Sequence, residues 1–286
     1  MKSGFVAVVG RPNVGKSTLV NALAGGKVAI VSDKPQTTRR RIAAVVNGED
    51  SQLILVDLPG FQRPRDALTE HMQRTVESAI EDVDAFLFVL AADEPIGAGD
   101  RLVAERVFAA GPPVLVTLNK VDRLKPAGIA EKIRAAAELG DFHALHPVSA
   151  LQGEGLDALR RDLVDLLPEG PRYFEEGAST DLPLEAQLAE LIREQALAVT
   201  REEIPHAITV EIEEVEDRRV HASLYVETES QKRILIGKAG SMIKAIGSAA
   251  RPELERVLGR KIFLDLVVKV RPHWRRDEGV LERMGI

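Results

Sequence analysis

Eight consecutive residues near the start of the chain have the types and spacing of a phosphate-binding loop. The stretch fits G-x-x-x-x-G-K-[ST] and lies between an apolar strand and a helix that begins near its lysine; it reads Gly10-Arg11-Pro12-Asn13-Val14-Gly15-Lys16-Ser17, with Thr18 following. Glycines let backbone N–H groups approach phosphate oxygens, and the helix N-terminus adds a positive dipole. We expect Lys16 to bridge the β- and γ-phosphates of a nucleotide and the Ser17 hydroxyl to coordinate Mg²⁺.

A second motif has the chemistry to select the base. Asn119-Lys120-Val121-Asp122 follows an apolar strand, and a carboxylate at Asp122 can accept hydrogen bonds from both N1–H and the 2-amino group of guanine. Adenine has neither donor, so it would leave a buried carboxylate unpaired. Ser149-Ala150-Leu151, after the next strand, could place a backbone N–H on guanine O6. The pattern therefore favours GTP and GDP over ATP.

A third motif, Asp57-Leu58-Pro59-Gly60, ends the strand over residues 53–56. At that position Asp57 would hold Mg²⁺ through water, and the Gly60 N–H would sense the γ-phosphate. Of the two threonines upstream, Thr37 and Thr38, we favour Thr38 as a further Mg²⁺ ligand. The next residue is Phe61, whose ring cannot orient an attacking water, so we expect slow intrinsic hydrolysis. Packing of Phe61 beneath the loop is compatible with this.

The sequence does not decide which group supplies positive charge at the phosphates during hydrolysis. Asn13 is the residue type that helps to place a K⁺ ion in potassium-activated GTPases. Six arginines on loops are alternative charge donors or RNA contacts: Arg11, Arg39, Arg40, Arg41, Arg63 and Arg65. No catalytic residue is assigned from the sequence.

The C-terminal part carries a G-x-x-G loop between two apolar stretches. Small residues there let a nucleic-acid backbone approach closely, while helix N-terminal amides and Lys238 can contact phosphates. Isoleucines on both sides would form the apolar wall of a base-binding groove, although some of them could simply belong to the core. These residues are Ile234, Ile236, Gly237, Lys238, Ala239, Gly240, Ile243 and Ile246.

Further along, the only tryptophan lies among cations. Trp274 could stack on a base, or it could anchor the tail on the last strand, and the sequence does not decide between them. We expect RNA contacts from Lys269, Arg271, Trp274, Arg275 and Arg276. The basic composition agrees, because residues 230–286 carry a net charge of +7 whereas residues 1–229 carry −13. A charged tail that serves only solubility is the alternative.

The elements around these motifs indicate two domains. Short apolar runs at residues 5–9, 42–46, 53–56, 85–90, 114–118 and 146–149 alternate with helical patterns, which predicts a six-stranded, mostly parallel α/β sheet. The short connection at residues 47–50 predicts an antiparallel hairpin at one edge. Beyond residue 183 the order is αββααβ. We predict a nucleotide-binding domain at residues 1–170, a linker at 171–183, a second domain at 184–272 and a basic tail at 273–286.

Composition excludes several classes. With 286 residues, 45% hydrophobic and 29% charged, the chain is typical of globular domains. The absence of cysteine excludes disulfides, thiolate catalysis and cysteine–metal sites, and it fits a reducing cytosol. The N-terminus shows no signal-peptide pattern, and no apolar run approaches the length of a membrane span. We therefore expect a soluble protein.

Residues 1–170 resemble the translation-factor branch of P-loop GTPases, and the αββααβ part with its G-x-x-G loop resembles a type II KH domain. Together, along essentially the whole chain, the two halves resemble the bacterial Era GTPases. That resemblance implies a ribosome-assembly factor that binds GTP, GDP and Mg²⁺, and we separately expect a cytoplasmic monomer. It also implies GTP-controlled binding to the 3′ region of small-subunit ribosomal RNA in the small ribosomal subunit, with room for peripheral contact with the inner membrane.

Two other function classes compete with this interpretation. A P-loop kinase or ATPase would use the same phosphate loop, but Asp122 and the absence of a second phosphate site argue against it. The second alternative is a passive RNA-binding protein whose GTPase half has become a scaffold. The intact nucleotide-binding motifs argue against it.

Overall fold

The computed structural model describes residues 1–34, 36–61, 64–284 and 286. Their contacts divide the chain into two compact units. The first comprises residues 1–31, 38–65 and 69–181, and the second comprises residues 32–37, 66–68 and 182–286. In sequence, the break after Asp181 lies inside the predicted linker at 171–183.

The first unit is built on one twisted sheet. Its strands are β1 Lys2–Val9, β2 Ile42–Asn47, β3 Ser51–Asp57, β4 Ala85–Ala91, β5 Val114–Asn119 and β6 Ala144–Pro147. Its helices are α1 Lys16–Ala24, α2 Ala67–Glu81, which begins in residues of the second unit, α3 Ala98–Ala109, α4 Pro126–Ala137 and α5 Leu156–Leu166.

The strand order of this sheet is β2-β3-β1-β4-β5-β6. β1 pairs in parallel with β3 and β4, and β5 pairs in parallel with both of its neighbours. Only β2 runs antiparallel, in register with β3 from Ile42 opposite Asp57 to Asn47 opposite Gln52. The predicted six-stranded α/β sheet and its edge hairpin are therefore confirmed. Because parallel strands end at the same edge, the loops after β1, β3, β5 and β6 meet there.

Alternation along the strands gives this sheet two hydrophobic faces. Ala7 and Val9 of β1 pack with the side of the sheet covered by residues of α2, α3 and α4. Val6 and Val8 face the opposite side and pack with Leu19 of α1. A sheet buried on both faces has near-continuous apolar strands, as these are.

The segment after α5 follows the edge of the first unit's sheet. Val45 N donates to Ser179 O at 2.9 Å, and Gln52 Oε1 accepts from the backbone N–H groups of Tyr173 and Phe174 at 2.8 and 2.9 Å. Much of the predicted linker is thus hydrogen-bonded to β2 and β3. The proposed bounds of the linker stay a prediction.

The second unit contains a three-stranded sheet and its helices. The elements are α6 Leu184–Val199, α7 Ile204–Ala207, β7 Thr209–Val215, β8 Arg219–Val226, α8 Glu229–Ile236, α9 Ser241–Leu258, β9 Phe263–Val270 and α10 Glu278–Arg283. The order is β7-β8-β9, with β7 antiparallel and β9 parallel to β8. The αββααβ order is confirmed, and the short helices α7 and α10 are additions that the sequence pattern did not predict.

One ion pair inside the second unit is almost fully buried. Arg193 of α6 is 2% exposed and contacts Glu190 through Nη2 at 2.6 Å and through Nε at 3.1 Å. Its Nη2 also donates to the Thr37 carbonyl, which belongs to the same unit. A buried charge needs such partners, because solvation by water has been lost.

Candidate functional site

The predicted phosphate loop connects β1 to α1 at the carboxyl edge of the first unit's sheet. Gly15 is the N-cap of α1 with φ of 96°, a conformation that favours glycine. Space also demands glycine, since a Cβ there would lie 2.3 Å from Asn119 Nδ2. Val14 is buried in the core, and Thr18 lies in the first turn of α1. The backbone N–H groups at this helix start are available for an anion.

Lys16 lies under this loop with its ammonium group desolvated. Nζ donates to the carbonyl oxygens of Gly10 at 3.2 Å and Arg11 at 3.0 Å. Burial lowers the pKa of Lys16 from 10.5 to about 8, and the negative charge of Asp57 partly opposes that shift. The ammonium group is therefore already in position, and because it is desolvated, a nearby anion such as a phosphate would stabilise its charged form.

Three oxygens from separate segments converge beside Lys16. The Ser17 hydroxyl donates to Asp57 Oδ2 at 2.7 Å, the Thr38 hydroxyl donates to the same oxygen at 3.3 Å, and the two hydroxyl oxygens lie 3.1 Å apart. These are the three residues that the sequence predicted for Mg²⁺. Thr38 is buried, while Thr37 instead contacts Arg193.

The carboxylate of Asp57 fits a metal-associated role. It is fully buried, and its Oδ1 has no hydrogen-bond partner among the residues that the structure describes. Burial raises the pKa of Asp57, against the opposing effects of Lys16, Ser17 and Thr38. An orphaned carboxylate oxygen next to two hydroxyls is a donor set that suits Mg²⁺ and its water ligands.

Asn119 joins the base-reading segments to the phosphate loop. Its Nδ2 donates to Val14 O at 3.0 Å, and its Oδ1 accepts from the backbone N–H groups of Lys120 at 2.8 Å and Ala150 at 3.1 Å. One buried amide therefore ties together the loops after β1, β5 and β6. The sequence assigned Asn119 to nucleotide binding without this bridging role.

Asp122 is held by the loop after β6. The Ser149 hydroxyl donates to Asp122 Oδ1 at 2.6 Å, which fixes one carboxylate oxygen. Lys120 has a left-handed backbone with φ of 66°, and its Nζ lies 3.5 Å from Asp93. Val121 is buried, whereas Leu151 is 72% exposed. The two segments thus form a single rim beside the phosphate loop.

The segment after β3 continues into the hydrophobic core. Leu58 and Pro59 are buried, Gly60 is partly buried, and Phe61 is 8% exposed in the core that includes Val103 and Val107. The guanidinium of Arg106 lies 5.8 Å from the Phe61 ring centre. Phe61 therefore packs beneath the loop, the alternative that the sequence allowed.

The arginines have different fates. Arg11 is bound to Asp100 and Glu94, so its guanidinium is directed to the start of α3, and its role as a charge donor to phosphate stays a prediction. Arg39 is buried, Arg41 and Arg65 are exposed, and Arg40 is intermediate. Arg63 lies outside the described residues. Asn13, the potassium candidate, is exposed and has φ of 65°, next to the partly exposed Pro12.

The G-x-x-G loop joins α8 to α9 in the second unit. Lys238 and Ala239 are exposed, and Ala239 has a left-handed φ of 51° between Gly237 and Gly240. The loop thus presents backbone and one cation to solvent. Ile234 is exposed, Ile236 and Ile243 are partly buried against the core, and Ile246 is fully buried. At least Ile246 belongs to the core.

A groove of about 340 Å³ runs between α9 and β9. Among the predicted RNA contacts only Ile243 lines it. The sequence pattern did not predict Lys244, Arg251 and the 62% exposed Phe263 as lining residues. An aromatic residue at the exposed start of an otherwise aliphatic strand was the available signal. Gly247, Ser248, Leu264 and Leu266 complete the lining.

The C-terminal RNA candidates divide into bound and exposed groups. Trp274 is fully buried and donates through Nε1 to Ala207 O at 2.9 Å, so its ring is not placed to stack on a base. It anchors the tail, but this hydrogen bond is to α7 and not to the last strand. Lys269 pairs with Glu213 and is separate from the groove, on the sheet face opposite the core residue Val268.

Of the three remaining basic candidates, Arg275 is bound to carboxylates, whereas Arg271 and Arg276 keep exposed area. Arg275 contacts Glu227 at 3.1 Å and Asp66 at 3.6 Å, so two carboxylates compensate its charge. Arg276 is exposed and Arg271 is partly exposed. In the described ranges no cluster of three or more histidine and acidic residues could hold a metal ion, and no helix is long and apolar enough to cross a membrane.

The first unit has the features of a P-loop GTPase: a phosphate loop, a carboxylate suited to a metal, and an asparagine and an aspartate placed to bind the base, on a sheet of order β2-β3-β1-β4-β5-β6. The second unit, which follows it in the chain, is similar to a KH domain. Family models agree. A 50S ribosome-binding GTPase model matches residues 5–120, and a KH domain model matches residues 203–275.

Relatives cover the entire chain. It is 43% identical to GTPase Era of Ruminiclostridium cellulolyticum, covering 99% of this chain and 97% of that protein. It is 46% identical to GTPase Era of Thermotoga maritima, covering 100% and 98%. A solved structure of Era in complex with MgGDPNP and nucleotides 1506–1542 of 16S ribosomal RNA matches at a TM-score of 0.94 and 39% identity, covering 100% and 99%. The chain belongs to the GTPase Era family.

Proposed function

We propose that the protein is a GTP-hydrolysing switch that binds the 3′ region of small-subunit ribosomal RNA and acts in assembly of the small ribosomal subunit. The observation that carries this proposal is the match, at a TM-score of 0.94 along the whole chain, to an Era structure that holds both a GTP analogue and that RNA region.

The first unit supports selection of guanine nucleotides. The Asp122 carboxylate keeps one oxygen engaged by Ser149, and its charge suits the two adjacent donors of guanine. Asn119 fixes this reader at a constant position relative to the phosphate loop. Lys16 would face the β- and γ-phosphates, and Ser17, Thr38 and Asp57 would hold Mg²⁺, directly or through water. When bound, the metal neutralises charge on the phosphate oxygens.

Slow intrinsic hydrolysis is part of the proposal. Phe61 follows Gly60, occupies the place of a water-orienting glutamine and lies in the core with 8% exposure. A phenyl ring offers no hydrogen-bond acceptor for an attacking water. The rate then depends on another group or on a partner. Potassium near Asn13, a peripheral membrane contact and a monomeric state stay predictions.

The second unit supports binding of single-stranded RNA. The exposed G-x-x-G loop offers backbone amides and Lys238 to phosphates, while the groove between α9 and β9 combines apolar side chains with Lys244 and Arg251. Aromatic and arginine side chains in a narrow groove stack on unpaired bases. Of the predicted tail contacts, Arg271 and Arg276 keep exposed area.

Nucleotide control of RNA binding has a physical basis in the segment before Thr38. Thr37 groups with α6 and accepts a hydrogen bond from the buried Arg193, whereas Thr38 contacts Asp57. The two threonines are covalently joined. Ordering of Thr38 by a γ-phosphate and metal would therefore also affect the position of Thr37, whose carbonyl Arg193 of α6 contacts.

The test is RNA affinity measured in two nucleotide states. Full-length protein is loaded with GDP or with GDPNP and Mg²⁺, and binding of a labelled single-stranded oligonucleotide from the 16S rRNA 3′ end is followed by fluorescence anisotropy. A scrambled oligonucleotide of equal length is the control. We expect selective binding that is tighter with GDPNP, and GTP to be preferred over ATP. Equal ATP and GTP affinity, or no RNA binding in either state, would overturn the proposal.

A further inference from the structure

The second residue of the phosphate loop directs its side chain to the start of α3. Arg11 Nε donates to Asp100 Oδ1 at 2.7 Å, and Nη2 donates to Glu94 Oε2 at 3.1 Å. The two carboxylates raise the pKa of Arg11 in spite of partial burial, which acts to lower it. One cation is thus shared between two anions, and the three groups together carry a net negative charge.

Asp100 is a rigid anchor for this arginine. It is 1% exposed and lies in the first turn of α3. Its second oxygen, Oδ2, accepts from Gly97 N at 2.9 Å at the N-cap of that helix. Both carboxylate oxygens are therefore committed, one to the helix start and one to Arg11. A buried carboxylate fixed in this way has little freedom to follow a moving partner.

The start of α3 also packs directly on the arginine stem. A Cβ at Gly99 would lie 2.6 Å from Arg11 Cδ and 3.3 Å from its Cγ. No side chain fits there unless the arginine moves. Glycine at this position therefore allows α3 to approach the arginine stem closely, so Arg11 has a steric as well as an electrostatic contact with the start of α3.

The backbone of the same residue positions the lysine that would face the phosphates. Arg11 O accepts a hydrogen bond from Lys16 Nζ at 3.0 Å, next to the Gly10 carbonyl at 3.2 Å. A restraint on the Arg11 side chain is thereby a restraint on one of the two carbonyls that hold the Lys16 ammonium. The linked groups run from the α3 N-cap through Asp100 and Arg11 to Lys16.

We propose that Asp100 and Arg11 form a latch that positions the phosphate loop and Lys16 for GTP hydrolysis. Both are positioning residues, because they act through Lys16, and Arg11 does not stabilise charge on the phosphates itself. The inference rests on the proposed GTPase function.

The main test compares two single variants with their double variant in the full-length protein. Asp100→Asn keeps an oxygen for the helix cap but removes the charge that holds Arg11, and Arg11→Gln removes the other partner. We expect each to lower kcat for GTP by about tenfold to a hundredfold, since small misplacements of catalytic groups have effects of that order. KM should change less. The double variant should be no slower than either single variant, because both break one latch.

A matched control is available on another helix of the same unit. Asp157 also lies in the first turn of its helix, α5, and is paired with an arginine, Arg160, at 3.4 Å, but both side chains are exposed. Asp157→Asn should leave kcat and KM unchanged. Arg11→Lys, which keeps a positive charge opposite Asp100, should recover part of the activity lost in Arg11→Gln.

Several outcomes would overturn the latch. Unchanged kcat in Asp100→Asn would do so, and so would effects of the two single variants that multiply in the double variant. A slow Arg11→Gln beside a normal Asp100→Asn would show that Arg11 acts on the phosphates directly. Absence of GTP hydrolysis in the unmodified protein would instead refute the proposed function. Thermal unfolding of each variant identifies loss of fold. If Asp100→Asn unfolds, an unchanged kcat in Arg11→Gln, which leaves the α3 cap intact, would still overturn the latch.

Discussion

The buried ammonium group of Lys16 gives the protein a pH-dependent stability that can be measured. Burial lowers its pKa from 10.5 to about 8, with Asp57 opposing the change. At about 1.4 kcal/mol for each pH unit, the difference amounts to about 3 kcal/mol of unfavourable free energy carried by the charged lysine in the folded state. Lys16→Met removes the ionisable group and with it this dependence.

The sign follows from proton binding. In the unfolded chain the lysine loses its proton near pH 10.5, and in the folded protein near pH 8. Between these values the unfolded chain binds more protons, so the contribution of Lys16 to the free energy of unfolding becomes more favourable as pH rises. Below pH 8 Lys16 is charged in both the folded and the unfolded state, so the full unfavourable free energy of burying its charge remains. The free energy of unfolding of the wild type minus that of Lys16→Met should rise by about 2 kcal/mol from pH 8 to pH 9.5.

The assay is urea unfolding of the nucleotide-free, full-length protein at half-unit steps from pH 7 to 9.5. Far-UV circular dichroism follows the helices of both units, while the fluorescence of Trp274, the only tryptophan, follows the second unit separately. Lys125→Met, at an exposed lysine beside α4, shows what removal of a surface lysine does to the same curve. A wild-type minus Lys16→Met difference that stays flat between pH 8 and 9.5 would refute the reasoning, because Lys16 would then be hydrated in solution.

Four further perturbations test other parts of the structure. Asp122→Asn should weaken GTP binding and improve xanthine nucleotide binding in competition assays; unchanged guanine preference would contradict the base-reader role. Gly15→Ala should lower nucleotide affinity at least tenfold in titration calorimetry, because its Cβ meets Asn119 Nδ2 at 2.3 Å and φ is 96°; normal affinity would show that the loop relaxes easily. Trp274→Phe should lower the free energy of unfolding by about 1 kcal/mol through its lost hydrogen bond and leave RNA affinity unchanged, so a large loss of RNA binding would restore the stacking role. Phe263→Ala should weaken binding of single-stranded RNA by about tenfold with stability unaltered, and equal affinity would exclude this side chain from the groove's function.

The sequence alone determined those parts of the protein that depend on neighbouring residues. The phosphate loop, Asp57 at the end of β3 and the Asn119–Asp122 segment are each a short run in which a strand, a turn and specific side chains follow one another directly. The order of apolar runs likewise determined the mostly parallel sheet, and the short connection before Ser51 determined the edge hairpin. Local sequence carries this information because backbone geometry there is set within a few residues.

Only the tertiary structure decided which partners the long and polar side chains find. Arg11 and Asp100 are separated by 89 positions, and no local pattern shows that the start of α3 lies beside the phosphate loop. Trp274 is adjacent to three basic residues in sequence, yet it packs in the interior against a carbonyl 67 positions earlier. Flexible charged and amphipathic side chains can form their hydrogen bonds and ion pairs with water, with phosphate or with other protein groups. Which partner they find depends on packing between segments that are distant in sequence, and the order of residues does not reveal that packing.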